Sequence, residues 1–355
     1  MHEFCKKYQG YLPAAFFVGG FLFDLLTTSR IDQAFSLIQQ LVYLLLIMLF
    51  LYWEIVPPQV FLKEEGFLVK LWKFHIELLH FLFGSLLSLY TIFYFKSASM
   101  MTSFAFMGFL AALLIINELP QFQKRGIIIR SSLLALCLAS YFIYLVPVIT
   151  KTIGVFAFIL SMTLSLSLFL LLCLRIQKAK EDKSWVNKNV LGPGLIIQTV
   201  FVLLYFFKAL PPVPISLKYA GIYHNIQKEK GVFALNYERS WWRIWQSGAQ
   251  TFVKRQGDPI YCFVSIFSPT QFEDQVKLIW YKKNKRGWEE RDQIGLPIVG
   301  GRDQGYRGYA YKSNYEVGDW QVRVVTSDLR EIGRIYFDVV LAEEGTTRQW
   351  RQDLY

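Results

Sequence analysis

The chain has 355 residues, of which 54% are hydrophobic and 18% charged, with a net charge of +11. Soluble globular domains carry about 25% charged residues, so this composition excludes an ordinary soluble protein and points to the lipid bilayer as a partner. The charge is dispersed, with 17 Lys/Arg against 10 Asp/Glu before Leu210 and 21 against 17 from there on, and no basic block; this argues against nucleic acid as a partner.

A membrane-crossing helix needs about 20 apolar residues. Seven stretches meet that need in chain order, over about 11–27, 35–55, 76–95, 99–117, 128–148, 154–174 and 194–210. The first ends in "FDLLTTSRID", with an acid inside it and no small-residue cleavage site, so it is expected to be a span and not a signal peptide. Its Asp24 pairs with Arg30 or a neighbouring helix, or else faces a substrate; both readings stand open.

Lys and Arg set the orientation. Seven spans collect Lys6, Lys7, Lys63, Lys70, Lys73, Lys124, Arg125, Arg130, Arg175, Lys178, Lys180, Lys183 and Lys188 on one side, against Arg30, Lys96 and Lys151 in the short loops of the other. The N-terminus is therefore expected in the cytoplasm and the tail outside it, which in a bacterium is the periplasm. Between the second and third spans, "PPQVFLKEEGFLVKLWKF" suits a short helix lying in the inner interface.

The third span opens with "FHIELLHFLFG", which holds His75, Glu77 and His80. At helical spacing Glu77, His80, Gly84, Ser88 and Thr91 share one face, whereas His75 lies on another beside Trp72 and Lys73. The stripe is either a packing seam or the head of an ion or proton site. Glu54 and Glu118 end the second and fourth spans on the same side, so Glu54, Glu77, His80 and Glu118 form the candidate intramembrane polar cluster. A single E-x-x-H pair is a weak metal signal, and the four cysteines have no zinc-like spacing, so no metal and no cofactor is expected.

Pro211, Pro212 and Pro214 forbid a continuing helix and divide the chain into 1–210 and 211–355. Beyond them the period becomes two, and strands are predicted over 231–238, 259–268, 274–283, 288–299, 306–313, 319–327 and 333–340. "NKRG" and "SDLREIG" supply hairpin turns. In "DWQVRVV", Trp320, Val322 and Val324 alternate with Gln321 and Arg323, the pattern of a half-buried strand. The expected fold is thus an α-helical membrane bundle followed by an all-β antiparallel sandwich. Trp241 and Trp242 in "SWWRIWQS" anchor the tail at the interface, pack under the sandwich or bind a sugar ring. "GGRDQGYRGYAYK" offers Arg302, Tyr306, Arg307 and Tyr309 as an anion- or glycan-binding loop, or as a glycine-rich hairpin with inward arginines.

The tail resembles the bacterial family of the "domain of unknown function 2914", through "GGRDQGYRGYAYK", Gly318, Trp320, Val322, Val324, Gly333, Arg334 and Phe337. "PPVPISLKYAGIYH" and the Trp241–Trp242 pair are similar to the segment that leads into that domain. "GGFLFDLLTTSRID", "FGSLLSLYTIFYFKSAS" and Asn117–Glu118 are similar to the helical half that accompanies it. Family members often carry a His two positions before the strand Trp, where this chain has Leu278 before Trp280. The resemblance implies no established activity.

The tail holds no Ser or Cys nucleophile with a positioned partner, no P-loop and no dinucleotide fingerprint, so no catalytic residue is assigned and an enzyme is disfavoured. The expected function is that of an inner-membrane protein presenting a periplasmic binding or structural module to an envelope protein or glycan. The alternative is a transporter or membrane enzyme that uses the intramembrane Glu/His cluster.

Overall fold

The computed structural model describes residues 34–58, 69, 72–97, 99, 106, 108, 126–238, 248–269, 273–299, 305–343, 345 and 347–355. The chain divides into two compact units. One comprises Met1–Phe95, Ser103–Thr150 and Gly154–Pro214; the other comprises Lys96–Thr102, Lys151–Ile153 and Ile215–Tyr355.

Among the described residues of the first unit are five helices long and apolar enough to cross a membrane. They are α1 (Ala34–Ile55), α2 (His75–Ser97), α3 (Gly126–Thr150), α4 (Val155–Ala179) and α5 (Lys183–Phe206). The first and fourth expected spans, and the expected interfacial helix, lie almost wholly outside the described residues. The last expected span began at 194, but the helix starts at Lys183. It reaches Gly192–Phe206 through a π-helical turn at Asn187–Leu191. Pro193 stands at the start of that final α-helical segment, where a missing N–H costs least, so "GPG" does not break the helix.

Most of α2 and α3 is buried, whereas α1, α4 and α5 expose Leu45, Phe156, Ile159, Ile196 and Leu203. Apolar side chains facing outward along helices of this length are what lipid covers. Polar side chains tie the helices together. Gln40 Nε2 on α1 donates to Tyr144 Oη on α3 at 2.9 Å, and Gln198 Nε2 on α5 donates to Ser165 Oγ on α4 at 2.7 Å. Such bonds hold helices in a medium that offers no hydrophobic drive to association. Phe158 and Tyr205 stack at 3.8 Å between α4 and α5.

The second unit contains eleven described strands. These are β1 (Ser216–Tyr223), β2 (Asn225–Glu229), β3 (Val232–Glu238), β4 (Thr251–Lys254), β5 (Ile260–Phe267), β6 (Glu273–Asn284), β7 (Gly287–Val299), β8 (Tyr306–Lys312), β9 (Gly318–Val325), β10 (Glu331–Leu341) and β11 (Trp350–Leu354). The sheet orders are β1-β5-β8, β4-β10-β9-β6-β7 and β11-β3-β2. All pairs are antiparallel except β4 with β10. One core runs through the unit, with Trp280, Ile222, Phe252, Phe263 and Val322 fully buried; Ile153, from the short connection between α3 and α4, packs against it.

The seven predicted strands are present as β3 and β5–β10, and hairpin turns fall at Asn284–Gly287 and after Val325. Strand β9 departs from the half-buried expectation. Gln321 is as buried as Trp320 and Val322, because β9 lies between β6 and β10 and the Tyr281 ring beside it is covered by Arg323. Alternation in sequence therefore hides a strand with both faces covered.

Candidate functional site

The intramembrane candidates sit at one end of three helices: Glu54 in the last turn of α1, Glu77 and His80 in the first turns of α2, and Arg130 in the first turns of α3. Arg130 Nη2 forms a short ion pair with Glu54 Oε1, and both side chains are largely buried. Glu77 Oε2 and His80 Nδ1 are buried without a hydrogen-bond partner. Glu118 and Asp24 lie outside the described residues.

Further along the stripe, Ser88 Oγ donates to Ser85 O at 2.9 Å and Thr91 Oγ1 to Leu87 O at 2.7 Å. These hydroxyls bond back to their own helix. His75 belongs elsewhere: its ring stacks on Trp72 at 4.1 Å, with Nδ1 2.6 Å from Trp72 O. Among the described residues no three His, Cys, Asp or Glu side chains come together to hold a metal ion. Sequence reasoning placed Glu54 with Glu77 and His80 but missed its partner Arg130, which had been counted as a topology-setting loop charge.

In the β unit, the candidate loop leads into β8. Arg302, Trp241 and Trp242 lie outside the described residues. Gly305 has φ +77, and a Cβ there would meet Ile266 O at 2.7 Å, so only glycine fits this entry to the strand. Arg307 is committed inward, donating from Nη1 to Tyr355 O at 2.9 Å, with its guanidinium 5.5 Å from the Phe233 ring. Tyr306 is half-buried.

Tyr309 lies on the same face of β8 as Arg307, with its ring 6.4 Å from Phe233, and is 39% exposed. Alternation puts Tyr311, 59% exposed, on the same face. Tyr261 lies directly opposite Tyr311 on β5, with ring centroids 5.7 Å from Tyr311 and 5.9 Å from Tyr309. Sequence reasoning named Tyr309 but not Tyr261 or Tyr311. The period-two spacing of Tyr309 and Tyr311 was the available signal for one of them; cross-strand register supplies the other.

Residues 273–339, which run from β6 into β10, match the family described as "Protein of unknown function (DUF2914)". No curated protein matches the chain. Among solved structures, an immunoglobulin-like protein from Pseudomonas aeruginosa is 10% identical over 36% of this chain and 98% of its own, with a TM-score of 0.23. An alkylpurine DNA glycosylase from Pseudomonas fluorescens, bound to DNA containing an abasic-site analogue, is 10% identical over 74% of this chain and 71% of its own, also with a TM-score of 0.23. Likeness at that level bears on neither fold nor function.

Proposed function

We propose that this chain, which carries a family segment of unknown function at 273–339, is a bacterial inner-membrane protein whose β unit is a periplasmic binding or structural module for an envelope protein or glycan. The observation that carries the reading is the division of the chain. The segments Lys96–Thr102 and Lys151–Ile153, which follow α2 and separate α3 from α4, group with the β-strands and not with the helices. Lys73, Arg130, Arg175, Lys178, Lys180, Lys183 and Lys188 lie at the starts of α2, α3 and α5 and the end of α4, ends that alternating crossings put on one side, so the positive-inside rule favours the cytoplasm for them. A seven-span anchor and a sandwich arrangement of the β-sheets belong to the same reading.

Within it, Tyr261, Tyr309 and Tyr311 are the contact surface. Exposed tyrosines offer large, rigid, amphipathic area to a protein or a sugar ring. The test uses the full chain in nanodiscs, passed over immobilised envelope glycan and, separately, over detergent-solubilised envelope protein. Tyr309→Ala with Tyr311→Ala is expected to cut retention at least tenfold on whichever support binds. Equal retention by the double variant and the unaltered chain would remove the tyrosines from the reading. A reporter fused after Tyr355 tests the orientation and is expected to be active only outside the cytoplasm.

The alternative, a transporter or membrane enzyme, draws on the buried, unpartnered Glu77 Oε2 and His80 Nδ1. If Glu77→Gln and His80→Ala leave the cellular phenotype intact while loss of the β unit abolishes it, that alternative falls.

A further inference from the structure

Strand β11 is held to the β unit in an unusual way. It pairs with β3 from Trp350 opposite Glu238 to Leu354 opposite Ala234, and Tyr355 continues the ladder through two 3.0 Å bonds with Phe233. Yet it buries little apolar surface, since Trp350 is 50% and Leu354 70% exposed. Its end is anchored by the Tyr355 ring, 5.2 Å from both Tyr219 and Phe263, but the rest of the attachment is largely polar and centres on carboxylates. Arg348, just before the strand, reaches Glu238 Oε1 at 2.9 Å and forms a short ion pair with Asp258. Asp353 accepts from Tyr237 Oη at 3.1 Å and Tyr223 Oη at 3.3 Å.

Beneath Trp350 lies His224, which is 5% exposed. Its ring is sandwiched, stacked on Phe252 at 3.9 Å and edge-on to Trp350 at 5.9 Å. Nε2 sits 3.3 Å from Val253 O, and Nδ1 is buried without a partner. An imidazolium formed there would bury a charge beside the fixed cations Arg348 and Arg255, with Asp258 as the opposing anion.

We propose that β11 is an acid-released strap, detached from β3 when His224 takes up a proton. The inference is independent of the binding-module reading. Release would leave β3 (Val232–Glu238) with an open edge, the kind of surface that accepts an extended segment from a partner.

The sign follows from the attached state. Burial is the main reason why His224 lies at about 4, below its ordinary 6.5. The detached state therefore binds the proton more tightly, and attachment weakens as pH falls below 6.5 towards 4. A detached His224 with its ordinary value makes opening about 30-fold more favourable at pH 5 than at pH 7.5. Glu238 works in the opposite sense, since burial raises its carboxyl and the attached state gains a proton there more readily.

The experiment is amide hydrogen exchange on the full chain in nanodiscs at pH 7.5 and pH 5, corrected for intrinsic chemistry. The amides of Phe233, Leu235 and Tyr237, which face β11, and those of β11 itself are expected to lose about 30-fold in protection, while Ala234 and Asn236, which face β2, and the strands β6 and β9 keep theirs. Equal protection at both pH values, or a uniform loss across β3, β6 and β9, overturns the strap. His224→Phe keeps a ring on Phe252 and is expected to abolish the response; a response that persists in it also overturns the proposal. Should that variant not fold, His224→Gln carries the same expectation. In Glu238→Gln the histidine acts without its opponent, so the response should grow. A disulfide between Asn236→Cys and Gln352→Cys, which replace residues directly opposite each other, should hold protection at pH 5.

Discussion

Ser99 Oγ donates a 2.6 Å hydrogen bond to Glu331 Oε1, joining the segment after α2 to the start of β10 across 232 positions of sequence. The same carboxylate is gripped by Arg334, from Nε to Oε1 and from Nη2 to Oε2, each at 2.6 Å. Glu331 is 7% exposed, so its acceptors are out of reach of most water. The Ser99→Ala variant loses one of the bonds on a buried charged acceptor, and a cost of about 1–2 kcal/mol is expected. Glu331→Ala should cost more, because it strands the Arg334 guanidinium. Hydrogen exchange along β9 and β10 in the full chain is the measurement. Unchanged protection in Ser99→Ala would show that the β unit does not depend on this segment.

A second prediction concerns two acids facing each other across a ladder. Asp319 on β9 lies opposite Asp338 on β10. Lys283 binds Asp319 at 3.0 Å and holds its carboxyl below the usual range. Asp338 goes the other way, raised by burial first and then by Asp319. A raised carboxyl favours the folded state at low pH, and that contribution is lost as pH rises through the folded value. At pH 7.5 Asp338→Asn should therefore stabilise the β unit by a few tenths of a kcal/mol, roughly 0.2–1, after discounting for exposure. The gain should vanish below about pH 4, where both forms are neutral at this position. Unfolding midpoints of the two proteins across that range decide it.

How far the sequence announced these features depends on where the pattern-making forces act. Long apolar helices and strands with a buried face carry a period, so α1–α4, β3 and β5–β10 were legible to within a few residues. Strands β2 and β11 bury too little to leave a period, and β4 has only four residues, Thr251–Lys254. The start of α5 was hidden because Gly192, Pro193 and Gly194 look like a break, while a π-helical turn carries the chain through. The Arg130–Glu54 pair spans 76 positions and leaves no local trace. Of the loop candidates, Tyr309 was recoverable from composition. That Arg307 turns inward depends on Tyr355 arriving beside it, which only the sheet pairing reveals.

Leu278 gives a third prediction. It is fully buried on β6, in register with Val324 on β9 and Ile294 on β7. It belongs to one apolar core with Trp280, Val322 and Val324. Leu278→His should cost about 2 kcal/mol or more at pH 7.5, through lost packing and an unsatisfied ring nitrogen. The deficit should deepen at pH 5.5, since the unfolded chain takes up a proton that the buried ring refuses. A substitution that is neutral at both pH values would mean that the core can open a polar niche at this strand.

The last prediction separates structure from transport at the membrane cluster. Breaking a buried ion pair by removing one partner costs about 3–5 kcal/mol, because the other charge is left without compensation. Glu54→Ala and Arg130→Ala should each reach that range, read as loss of the folded form in a detergent-denaturation series. The double variant Glu54→Leu with Arg130→Met removes both charges and keeps the volume between α1 and α3, so it should recover most of the loss. Function gives the second readout. If the pair only fastens α1 to α3, the double variant supports the cellular phenotype as well as the unaltered chain does. If the pair serves proton or ion movement beside Glu77 and His80, stability returns in the double variant but the phenotype does not.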